Sequence, residues 1–90
     1  MDVLKLLSKR NVDRILKILS EHDEMYFGQI KTEIEINQSN LSQLLTELVE
    51  NGYLEKRIGE SRTNISKSYF KLTEKGKRAL KIYEIAEELK

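Results

Sequence analysis

From Asn37 to Gly52 every local signal asks for one helix. Asparagine is a favoured N-cap because its side-chain carbonyl accepts one of the first-turn N–H groups that have no helical partner. Glycine suits the position just past the last turn, where the backbone turns left-handed. Between them Leu41, Leu44, Leu45, Leu48 and Val49 recur at helical spacing and fall on one face. That stripe has to be buried, and in a chain of 90 residues the rest of the sequence must cover it. A chain this short holds one modest core, so the whole fold has to be organised around this helix.

The opposite face of the same helix is unusual. Ile36 to Thr46 runs eleven residues without a charge in a chain that is 34% charged. Gln38, Ser39, Asn40, Ser42, Gln43 and Thr46 line this face, whereas the other helical segments carry Lys and Glu outward. Amides and hydroxyls exchange hydrogen bonds with base edges, and Asn or Gln engages adenine through two at once. The bland alternatives are an ordinary polar surface or a protein-binding face.

Helical periodicity also places Val12, Ile15, Leu16, Ile18 and Leu19 inward in a helix over about 11–21, with the apolar cluster Val3, Leu4, Leu6 and Leu7 ahead of it. Met25–Phe27 reads as a very short strand and 28–34 as a short helix, with Glu35 and Ile36 turning into the helix that Asn37 caps. Residues 53–58 and 66–72 read as two strands joined by a polar loop; Phe70 and Leu72 face one way, Tyr69 and Lys71 the other. Thr73 is the cap of a last helix. Tyr26, Phe27, Tyr53 and Phe70 are assigned to packing, since nothing arranges them as a platform for single-stranded bases.

The totals exclude several classes of function. With no cysteine there is neither a disulfide framework nor a thiolate site, and the single histidine, His22, has no partner that would make a metal centre. No Gly-rich phosphate loop or nucleophile–base pair is present, so neither an enzyme nor a cofactor is expected. No signal-peptide or membrane-spanning run is present, which points to the cytoplasm. The net charge of +1 hides a segregation: residues 20–50 sum to −6 and residues 53–81 to +6. Such a split suggests that the second half faces a polyanion.

Two short helices joined by a tight turn and followed by a β-hairpin form the plan of a winged helix-turn-helix, a mainly α fold with a small hairpin (α+β). FGQIKTEI at 27–34, NQSNLSQLLTELVENGYL at 37–54 and YFKLTEKGK at 69–77 resemble the short winged-helix transcriptional regulators of the MarR/ArsR-like group. The resemblance spans about residues 8–80 of a single domain, 1–90. It implies a dimeric regulator that binds specific double-stranded DNA and acts at the nucleoid, with helix 38–51 in the major groove and the wing 57–67 on the backbone or minor groove. Carried over by position, it assigns DNA contact to Asn37, Gln38, Ser39, Asn40, Ser42, Gln43 and Thr46. In the wing it assigns Arg57, Arg62, Thr63, Asn64 and Lys67. Lys56 belongs to the same basic hairpin. Two departures stand out: Glu60-Ser61-Arg62 replaces the family's Asp-x-Arg, and the reading helix has no Arg or Lys with which to grip guanine.

The last helix is apolar on two sides, which calls for two partners. Ala79, Ile82, Tyr83, Ile85, Ala86 and Leu89, with Leu4 and Leu7, are therefore assigned to a homodimer interface formed by segments 1–10 and 73–90. No small-molecule effector is evident. The rival reading is a winged helix serving as a protein–protein interaction module in a transcription or replication assembly. That role would put an exposed apolar patch on the reading helix instead of polar groups.

Overall fold

The computed structural model describes residues 9–59 and 67–89. Leu4, Leu7, Arg62, Thr63 and Asn64, assigned above to the interface and the wing, lie outside the described residues. In chain order the elements are α1 (Val12–Ser20), β1 (Met25–Tyr26), α2 (Phe27–Ile34), α3 (Gln38–Glu50), β2 (Leu54–Gly59), β3 (Lys67–Leu72) and α4 (Glu74–Glu88). The strands form one antiparallel sheet in the order β1-β3-β2. This is the expected winged helix-turn-helix.

Helix α3 is delimited as its ends require. The Asn37 Oδ1 accepts from the Asn40 backbone N–H at 2.8 Å. At the other end Gly52 N–H donates to the Val49 carbonyl at 3.0 Å and Tyr53 N–H to the Leu48 carbonyl at 2.9 Å. That pair of bonds is a Schellman stop, and it requires the left-handed φ of 81° found at Gly52. Tyr53 was expected to open the first strand. It instead completes the helix stop, and β2 begins one residue later at Leu54.

Leu41, Leu45 and Leu48 of α3 meet Ile15, Leu16 and Leu19 of α1, Ile30 and Ile34 of α2, and Phe70 and Leu72 of β3 in one buried cluster. Leu44 and Val49 sit half-buried at its margin. The alternation expected along β3 holds, with Phe70 and Leu72 buried and Lys71 exposed. Strand β1 joins the far side of β3, with Met25 opposite Phe70 and Tyr26 opposite Tyr69.

The segment Leu72-Thr73-Glu74-Lys75-Gly76 clamps α4 onto the end of α3. Thr73 Oγ1 accepts from Gly76 N–H at 3.0 Å as the helix cap and donates to the Gly52 carbonyl at 2.6 Å. Lys75 Nζ donates to the Asn51 carbonyl at 2.8 Å and lies 4.7 Å from the centre of the Tyr53 ring. Gly76 is buried, and a Cβ there would collide with the Tyr53 carbonyl oxygen, so no larger residue allows this approach. The signature that supported the family resemblance is thus a docking device.

Candidate nucleic-acid interface

Burying Leu41, Leu45 and Leu48 turns the other side of α3 to solvent. Gln38, Ser39, Asn40, Ser42, Gln43 and Thr46 are all exposed there, as the sequence predicted. On one flank Ser42 and Thr46 line a cleft with Lys56, Ser68 and Phe70 of the wing strands, with a volume of 240 Å³. On the other flank Asn40 and Gln43 border a second hollow with Lys9, Arg10 and Asn11. The uncharged face therefore lies between the wing and the start of α1, reachable from solvent along its whole length. Asn37 has its side chain committed to the cap, so its contribution to a ligand is through the helix end that it fixes.

The cations around this face are not all equivalent. Arg57 was assigned to phosphate, yet its guanidinium forms a forked ion pair with Glu24, Nε at 2.8 Å and Nη2 at 2.6 Å from the two carboxylate oxygens. The same guanidinium stacks 4.2 Å from the centre of the Tyr69 ring. Its hydrogen bond to Glu24 holds the pKa of that carboxyl below the ordinary value and raises the arginine's own. Lys67 lies 4.3 Å from the Tyr26 ring, and the Tyr26 and Tyr69 rings meet edge to face at 6.1 Å. Arg57 and Lys67 thus cover the outer, aromatic side of the sheet. Lys56, on the adjacent residue of β2, has the opposite orientation and borders the α3 cleft.

Sequence reasoning missed two acidic partners. Glu24 comes from the loop before β1 and lies 33 positions from Arg57. Glu47 sits on α3 itself, where Lys9 Nζ reaches its two oxygens at 2.7 and 3.0 Å and Gln43 Nε2 donates to it at 3.5 Å. The hydrogen bond from Lys9 keeps the pKa of the Glu47 carboxyl below its ordinary value, so it stays ionised. Only the Gln43–Glu47 spacing of four is visible locally; the others join segments that the chain brings together from a distance.

The last helix divides as a two-sided helix should, with corrections. Ala79 was assigned to the dimer interface but is 2% exposed in the protomer's own core, because Gly76 lets α4 approach closely and Ala79 follows one turn later. Tyr83 is half-buried against the same core, and burial pushes its hydroxyl up to about 12. Ile82, Ile85 and Leu89 remain exposed at 52%, 55% and 82%, with Ala86 among them. Among the described residues no group of three or more acidic, His or Cys side chains could hold a metal ion. Nor is any described helix long and apolar enough to cross a membrane.

The arrangement of a polar recognition helix beside a basic hairpin agrees with the known proteins that this chain is similar to. The model of the winged helix DNA-binding domain family matches residues 14–89. A protein of Methanocaldococcus jannaschii, described as an uncharacterized HTH-type transcriptional regulator, is 39% identical over 85 residues, covering 94% of this chain and 78% of its own length. The reduced form of the transcriptional regulator YodB from B. subtilis superposes with a TM-score of 0.81 at 27% identity, over 94% of this chain and 81% of that one. The transcriptional repressor BigR from Xylella fastidiosa gives a TM-score of 0.73 at 28% identity, over 96% of this chain and 80% of that one. By sequence and by fold this chain belongs to the winged helix DNA-binding domain family, as a DNA-binding transcriptional regulator.

Proposed function

We propose that the protein binds specific duplex sites as a homodimer, with α3 in the major groove and the wing against the flanking backbone or minor groove. The observation that carries this reading is the exposed, uncharged face of α3, bounded by Lys56 on the wing side. Gln38, Ser39, Asn40, Ser42, Gln43 and Thr46 are the candidate contacts to bases and nearby phosphates. Lys56 and Lys67 from the described wing strands, with Arg62, Thr63 and Asn64 from the sequence reading, supply the phosphate contacts. Arg57 joins them only by leaving Glu24. The polar α3 face and the DNA-binding family together set aside the reading as a protein-interaction module.

The second copy would pair through Ile82, Ile85, Ala86 and Leu89 of α4, aided by Leu4 and Leu7. Paired two-fold, the domains would read half-sites about 34–36 Å apart, one turn of DNA. The protein then acts in the cytoplasm, on the nucleoid. Titrating labelled random and selected duplexes by anisotropy across salt concentrations tests the whole reading. A log–log salt slope of about −4 to −7 is expected if a dimer neutralises roughly 4 to 8 phosphates. A flat response, or no binding at low salt, refutes it.

A further inference from the structure

Glu47 is the one acidic side chain on α3 that bonds to a candidate base contact among the described residues. Its side chain is 13% exposed and is held by Lys9 through both carboxylate oxygens. That grip fixes where the carboxylate sits. It also neutralises a negative charge which would otherwise repel DNA phosphates.

A carboxylate can only accept hydrogen bonds. Gln43, one turn earlier and exposed, must therefore turn its amide nitrogen toward Glu47, as it does at 3.5 Å. Turning its carbonyl that way would set two acceptor oxygens against each other. With one N–H directed at Glu47, the amide presents outward one carbonyl acceptor and one remaining N–H donor, side by side.

Resting on the reading of α3 as the base-contacting helix, we propose that Glu47 is a positioning residue that locks the Gln43 amide in the orientation that selects adenine over guanine. In the major groove adenine offers a donor at N6 and an acceptor at N7, which complements the outward pair on Gln43. Guanine offers two acceptors, N7 and O6, so the fixed carbonyl of Gln43 faces an acceptor and is repelled. Without Glu47 both N–H groups of the amide are available, the NH2 can turn alone toward guanine N7 and O6, and this distinction weakens. Lys9 acts one step further back, by holding Glu47.

Selection from a pool of duplexes randomised over about 20 base pairs, read by sequencing, tests this with wild type, Gln43→Ala, Glu47→Gln and Glu47→Ala. Wild type is expected to enrich adenine over guanine at one position of each half-site by roughly tenfold, the discrimination of one good bidentate pair. Gln43→Ala should flatten that position alone. Glu47→Gln, whose own amide can turn either way, should leave the other positions intact and bring adenine and guanine there to near parity. Glu47→Ala should do the same, and alanine's helix propensity keeps α3 formed should the glutamine variant fold poorly. If Gln43→Ala flattens the position while both Glu47 variants select as wild type does, the inference fails and the base-reading helix stands. If Glu47 variants flatten every position alike, Glu47 is a structural residue and the inference also fails. If Gln43→Ala changes nothing, the base-reading assignment of Gln43 falls and the inference falls with it.

Discussion

At the scale of single residues, the interface is shaped by which charges are already occupied. Arg57 has both a carboxylate and an aromatic face, and leaving them for a phosphate exchanges one strong forked contact for another. Glu24 therefore competes with DNA for this side chain. Glu24→Gln is expected to free it, steepening the log–log salt slope by about 1 for each additional phosphate engaged. An unchanged slope would show that Arg57 does not reach DNA at all. The same variant has a signature in stability. The Glu24 carboxyl is held below its ordinary value of 4.5 by Arg57, so its contribution to folding is present above that value and fades as pH falls through the lower, folded value. Denaturation curves of wild type and Glu24→Gln should therefore differ near pH 7 and converge in acid; a constant offset would assign the effect to something other than ionisation.

At the scale of elements, function depends on holding α3 at fixed ends. Asn37 fixes the N-terminus and the Gly52–Tyr53 stop fixes the C-terminus, where Thr73, Lys75 and Gly76 dock α4. Asn37→Ala should cost about 1 kcal/mol of stability, the usual value of an N-cap. Gly76→Ala should cost about 1–3 kcal/mol, since the added methyl would overlap the Tyr53 carbonyl oxygen and crowd Leu72. Urea titrations measure both. The docking reading of the Thr73–Gly76 segment would be overturned if Gly76→Ala left stability unchanged. Most of this element layer was legible beforehand, because caps, stops and apolar spacing act between residues a few positions apart.

At the scale of the whole molecule, assembly falls on one helix face. With Ala79 and half-buried Tyr83 turned to their own core, the unpartnered side narrows to Ile82, Ile85, Ala86 and Leu89. Covering a fully exposed aliphatic side chain is worth about 1.5–3 kcal/mol, so a few of these in a two-fold pair can hold a dimer together. Ile82→Glu and Leu89→Glu are each expected to yield a folded monomer that loses most affinity for a selected site and keeps weak binding to random duplex. Sedimentation of the wild type as a monomer at tens of micromolar, roughly the regime in which such an interface should hold, would refute dimerisation by this face.

What the sequence determined by itself was whatever depends on neighbours in the chain. Asn37, Gly52 and the leucine spacing define α3 and its uncharged face, Phe70 and Leu72 define the inner side of β3, and Thr73 starts α4. These follow from helical and strand periodicity and from caps that close within a few residues. Only the tertiary structure decided the rest. It paired β1 with β3, brought Glu24 to Arg57 and Lys9 to Glu47 across 33 and 38 positions, and turned Ala79 inward behind Gly76. Such pairings depend on where packing leaves each segment in space, and an ion pair between distant exposed residues leaves no period in the sequence to read.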